Sequence, residues 1–147
     1  MSGKKLTLDM AAMEDAFFAD TALIGLASRL SAPRLCWLLN RRFDLQLGRR
    51  ADLDICVTKA PSQQYYFPIY EYTVPLSDMR YLLYRLKCRE ECLLPELKQL
   101  DFLWMIQGGE AAVAADRLTI HLRRQQEIQL AQVLSADRLK NPGYLLV

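Results

Sequence analysis

The sequence predicts an α+β fold: a largely antiparallel β-sheet with two main α-helices packed on one face. Two segments, residues 32–43 and 110–125, space their apolar side chains at helical intervals, while several others alternate apolar and polar residues or run apolar over strand-sized lengths. Many strands with only two helices imply a sheet that both helices cover from the same side. No internal repeat, low-complexity tract or interdomain linker interrupts the 147 residues, so residues 1–147 are expected to form a single domain.

Taken in order, Leu6, Leu8 and Met10 alternate with polar residues as in a half-buried strand, and Met13–Ala19 is ambiguous. Ala22–Ala27 is strand-like. Ser31 then offers a helix N-cap oxygen, and Pro33 is tolerated in the first turn. Leu35, Leu38, Leu39 and Phe43 form the apolar stripe of that helix, and Arg34, Trp37 and Arg41 occupy its other face. Leu53, Ile55 and Val57 alternate as a strand. Tyr65–Thr73 and Met79–Cys88 read as the clearest strand pair, rich in Tyr and Leu and separated by a turn at Pro75–Asp78. Pro68 cannot donate to a ladder, which places its strand at an edge or in a bulge. Leu100–Ile106 is a strand closed by Gly108 and Gly109. The second helix follows, with Glu110 at its positive end and Arg123 and Arg124 at its negative end. Ile128–Leu134 alternates again as a strand, and Asn141-Pro142-Gly143 leads to an apolar end.

Composition limits the function classes. A hydrophobic fraction of 52% supplies a core. A formal charge of +2, from 19 basic against 17 acidic residues, gives no strong field for nucleic acid or anionic lipid. No apolar run reaches the length of a membrane helix, so no membrane partner is expected. The beginning of the chain, with Lys4, Lys5 and Asp9 and no apolar run, does not read as an export signal. Cytoplasmic location follows as the expectation, with Cys36, Cys56, Cys88 and Cys92 as free thiols.

One segment carries a motif: Leu94, Pro95, Glu96, then Leu100, Asp101 and Phe102. It resembles the signature of the IPExxxVDY family, with Pro95, Glu96 and Asp101 identical to it. Leu94 stands for its isoleucine, Leu100 for its valine and Phe102 for its tyrosine. Leu23-Ile24-Gly25, the run Arg34–Asn40 and the ending from Arg138 to Leu146 extend the resemblance over most of the chain. It implies a bacterial, cytoplasmic setting of the Bacteroidetes type and assigns no activity, because the family's function is uncharacterised.

Read physically, Glu96 and Asp101 invite two interpretations. Carboxylates brought together can split their pKa values and serve as acid and base, which would make a small enzyme. In the plainer interpretation they hold backbone N–H groups or arginines such as Arg34. Cys88, Cys92 and His121 supply three ligands where a zinc site needs four, so no metal is expected, and His121 reads as partly buried packing. No serine sits in a nucleophile elbow, and Gly108-Gly109 lacks the rest of a phosphate-binding loop, so no catalytic residue or cofactor is assigned. Basic pairs at Lys4-Lys5, Arg41-Arg42, Arg49-Arg50 and Arg123-Arg124 could edge a tyrosine platform for RNA or DNA, although solvated charge and sheet packing are the favoured explanation.

The leading expectation is a non-enzymatic protein-interaction module, either a homodimer or a partner-binding protein. The alternatives are an RNA- or DNA-binding accessory protein and an enzyme built on Glu96 and Asp101. The positive sign of an interface is that both faces of Tyr65–Thr73 carry large apolar or aromatic groups while one face alone is expected to meet the core, which makes Tyr66, Tyr70 and Tyr72 the candidate contact residues.

Overall fold

The structure, a computed structural model, describes residues 11–145 and Val147. The expected strand at Leu6–Met10 and the Lys4-Lys5 pair lie outside the described residues. Residues 11–18 form helix α1, in the segment that the sequence left ambiguous. Strand β1 (Thr21–Ser28) and helix α2 (Ala32–Phe43) follow, then β2 (Gly48–Arg49), β3 (Ile55–Ala60), β4 (Gln63–Phe67), β5 (Ile69–Thr73) and β6 (Arg80–Arg85). The chain continues through β7 (Lys87–Cys88), β8 (Glu91–Cys92), β9 (Phe102–Gln107), helix α3 (Ala111–Leu122) and β10 (Ile128–Leu134).

Helix α2 begins and ends where its local chemistry demands. The Ser31 hydroxyl accepts from the Arg34 N–H, and Pro33 sits in the first turn, where a missing donor costs nothing. Asp44 closes the helix in the left-handed conformation, with its N–H on the Asn40 carbonyl. The Asn40 amide then clamps the returning chain, accepting from Leu47 N at 2.8 Å and donating to Leu47 O at 3.1 Å. Gly108, which precedes α3, has φ near 137°, and a Cβ there would meet the Met79 sulfur at 2.5 Å. The Gly109 N–H donates to the Asp78 carboxylate, so the glycine pair forms the turn from β9 into α3.

The main sheet has six antiparallel strands in the order β10-β1-β9-β6-β5-β2. One register line crosses all of them: Val133, Ile24, Trp104, Leu83, Tyr70 and Arg49. On that face lie α2 and α3, which bury Leu35, Leu39, Ala115 and Leu122 against Ile24, Trp104 and Leu83. This is the α+β arrangement the pattern predicts, with both main helices on one side.

The opposite face is also covered. Leu23, Leu82, Tyr84, Leu103 and Met105 are buried beneath Leu93, Leu94, Leu97, Leu100, Leu139 and Leu145, which belong to the segments after β7 and β10. Phe17 and Phe18 of α1 pack against the same cluster. The Tyr84 hydroxyl donates to the Leu145 carbonyl at 2.7 Å, and burial raises its pKa. The expectation that only one face of the tyrosine-rich strands meets the core is therefore corrected: Ile69 and Tyr70, consecutive in β5, are buried on opposite faces.

Pro68 divides the segment predicted as a single strand. Before it, β4 pairs with β3 in a separate hairpin; after it, β5 joins the main sheet beside β6. Pro68 lacks a donor but still accepts from Arg85 N through its carbonyl, so the chain changes sheets where a ladder bond is missing.

Candidate functional site

The motif residues serve both faces of the sheet: Leu94 and Leu100 belong to the second-face core, and Phe102 to the core under the helices. Pro95–Leu97 forms a 3-10 turn, and the Glu96 carboxylate accepts from the Lys140 N–H at 3.0 Å, tying this turn to the segment after β10. Leu94, Leu100 and Phe102 are fully buried. Leu100 lies on Gly25, where even a Cβ would come within 2.4 Å of its Cδ1. The Arg85 guanidinium covers the Phe102 ring at 4.7 Å.

Asp101 joins three pieces of chain. Its Oδ2 accepts from Ser28 N at 2.8 Å, and its Oδ1 accepts from Lys87 Nζ at 2.9 Å. Its backbone N–H donates to Leu26 O, and its carbonyl accepts from Leu86 N. Ser28 carries the connection onward: its hydroxyl donates to Glu127 O at 2.7 Å and accepts from Leu30 N at 3.2 Å. Glu96 and Asp101 thus engage separate partners, and neither lines the depressions described below. Their donors are backbone N–H groups and a lysine, with no arginine among them.

The candidate interface tyrosines are not brought together. Tyr66 lies on β4 and is 52% exposed, whereas Tyr70 is 8% exposed and belongs to the core under α2. Tyr72 is half-buried and stacks on Tyr81 with centroids 6.2 Å apart. Burial of Tyr70 removes it from any contact surface, and Tyr66 sits in the other sheet. The metal trio is likewise dispersed. Cys88 packs on the second face, while His121 rides on α3. His121 is exposed, with its ring centroid 6.4 Å from that of Phe43 in an edge-on arrangement, which corrects the expectation of a partly buried histidine. Of the basic pairs, Arg49 is bound to Asp54, and Arg50 to Asp52 and Glu71.

Two surface features remain. The first is a groove beside α2. A depression of about 480 Å³ is lined by Leu30, Pro33, Arg34, Trp37, Leu38 and Glu127. A second, of about 420 Å³, shares Trp37, Leu38 and Glu127 and adds Arg41 and Arg42. Trp37 is 61% exposed, with the Arg41 guanidinium 5.2 Å from its ring centroid. The sequence placed Arg34, Trp37 and Arg41 on the outward face of this helix; Glu127 arrives from the turn before β10, which no local pattern signals.

The second feature is the edge strand β10, Ile-Gln-Leu-Ala-Gln-Val-Leu, which has no charge and no proline. Leu130 and Val133 are 40% and 45% exposed. Its register with β1 turns Leu130, Gln132 and Leu134 inward, leaving the backbone groups of Ala131 and Val133 directed outward. Arg123 Nε, from the end of α3, donates to the outward Ala131 carbonyl at 2.9 Å.

Fold and surface together define an α+β protein whose antiparallel sheet is covered on both faces and whose described surface includes a groove beside α2 and an open strand edge. No protein-family model matches the chain, and no curated protein matches it in sequence. Among the described residues, no helix is long and apolar enough to cross a membrane.

Proposed function

We propose that this is a non-enzymatic, cytoplasmic protein-interaction module that works as a homodimer, with β10 pairing antiparallel to β10 of a second copy. The observation that carries this reading is the uncharged edge strand with exposed Leu130 and Val133. An edge strand that carries no charge or proline of its own is a template for another strand. The far edge, β2, differs: it is two residues long and ends at Arg49 and Arg50. A twofold axis through Gln132 would set Ala131 opposite Val133 of the second copy, so that both outward backbone pairs are satisfied. Arg123 would then leave the Ala131 carbonyl, and Ile120, one turn earlier on α3 and exposed, would extend the contact. Membership of the IPExxxVDY family, and with it a bacterial origin, belongs to the same proposal. Its support is that Leu94, Leu100 and Phe102 are buried and that Glu96 and Asp101 are tied by hydrogen bonds.

Light scattering over a dilution series tests the dimer. The expected result is a twofold mass at micromolar concentration that falls to one chain in Val133→Lys and Leu130→Lys. A strict monomer at high micromolar concentration would overturn the proposal. The second reading, a nucleic-acid accessory protein, draws on Trp37 beside Arg41 and Arg42. It is disfavoured by Glu127, an acidic side chain that lines both depressions.

A further inference from the structure

We infer that the α2 groove binds a peptide segment of another protein in which an acidic residue stands beside a large apolar one. Residues 34, 37, 38 and 41 recur at helical spacing, so Arg34, Trp37, Leu38 and Arg41 form a single stripe along α2. Among the described residues, Arg34, Arg41 and Arg42 have no carboxylate within 4.0 Å, so this side of α2 presents three cations without a protein partner. Glu127, the one carboxylate lining the groove, faces the opposite problem. Its Oε2 is buried and has no hydrogen-bond donor.

These demands describe one ligand chemistry. The larger depression, walled by Leu30, Pro33, Trp37 and Leu38, takes an apolar side chain. The adjoining one, edged by Arg41 and Arg42, takes a carboxylate. Glu127 lines both, and a carboxylate there accepts an N–H, which a peptide backbone supplies at every residue other than proline. Three arginines against one glutamate favour an acidic chain. A nucleic acid meets the arginines as well, but it sets phosphate against Glu127 and leaves the apolar wall to a base. Exposed tryptophan and arginine are also the side chains that most often anchor protein contacts.

The motif supports this groove from beneath. Asp101 fixes Ser28, and Ser28 holds both Glu127, through its carbonyl, and Leu30, through its N–H. Asp101 is therefore a positioning residue for two walls of a site that it does not touch.

The groove and the β10 edge are tested separately, because Val133→Lys acts on mass and the groove variants do not. The full chain is used to select from a phage-displayed library of short random peptides, with the double variant Trp37→Ala/Arg41→Glu as the counter-selection. The expected winners carry Asp or Glu next to Leu, Ile, Met or Phe. A synthetic copy of the winner should lose roughly thirtyfold in affinity with Trp37→Ala, the change expected when an anchor residue is truncated. Because both substituted side chains project from the surface of α2, the variants should keep the wild-type thermal midpoint, which separates loss of binding from loss of fold. No enrichment, winners that bind the double variant equally well, or basic winners would each overturn the proposal. So would a uridine-rich RNA oligonucleotide that binds at physiological salt and is released by Arg41→Glu, which would make the groove a nucleic-acid surface.

Discussion

Replacing Asp101 with alanine removes two acceptor oxygens at once, and the cost of each can be worked separately. Ser28 is 4% exposed, so its N–H is left in a place water cannot reach. An abandoned buried donor of this kind costs about 1–3 kcal/mol. The ion pair with Lys87 is different: its side chains are 32% and 22% exposed, so solvent screening holds its contribution to about 0–1 kcal/mol. A combined loss of about 1–4 kcal/mol corresponds, for a chain of this size, to a fall in thermal midpoint of roughly 2–16 °C. Urea denaturation followed by tryptophan fluorescence measures it directly. Two further variants divide the effect. Lys87→Met should cost less than about 1 kcal/mol. Asp101→Asn keeps one oxygen for Ser28 and should cost about half as much as alanine. If Asp101→Ala stayed within about 0.5 kcal/mol of wild type, the typical range of an unremarkable surface change, the structural role assigned to this carboxylate would be wrong.

Gly25→Ala should destabilise by about 1–3 kcal/mol, because its methyl group collides with the tips of Leu100 and Leu134, at 2.4 and 2.9 Å. Leu100→Ala should cost less in that background than alone, and strictly additive denaturation energies would refute the contact. Burial pushes the Cys36 thiol up from 9.0 to about 12, so the folded state keeps a proton that the unfolded chain has released. That contribution is intact below pH 9 and is lost as pH rises towards 12. Cys36→Val should flatten the alkaline limb of the stability curve, and iodoacetamide at pH 8 should label exposed Cys56 long before Cys36. Equal labelling rates would contradict the burial.

Elements governed by local chemistry were legible in the sequence, and those governed by long-range packing were not. Ser31 and Pro33 located α2, and alternation located β10, because caps and periodicity act within a few residues. Pro68 announced an interruption, but not that the chain changes sheets there, since that depends on which strand waits on each side. The tyrosine surplus misled for a related reason. A strand buried on both faces needs large apolar groups on both, and the run Phe102–Ile106 in β9 was the available sign that this sheet has two covers. For the motif, the choice between structural and catalytic carboxylates turned on partners far away in sequence, Ser28 and Lys140. The groove was half visible. Arg34, Trp37 and Arg41 were read on the outward side of α2, but Glu127 reaches them only through the pairing of β1 with β10.

That pairing has a consequence for synthesis. β1 is the first strand of the sheet, and its outer neighbour β10 is the last to leave the ribosome, with Leu23 opposite Leu134. Until residues 128–134 emerge, the nascent chain holds Thr-Ala-Leu-Ile-Gly-Leu-Ala-Ser, a strand without charge, with one flank open to any other strand nearby. Contacts between such distant segments also form slowly. The interval between translating β1 and capturing β10 is therefore when this protein is most exposed to misassembly, and when a chaperone that shields extended apolar segments would have most effect.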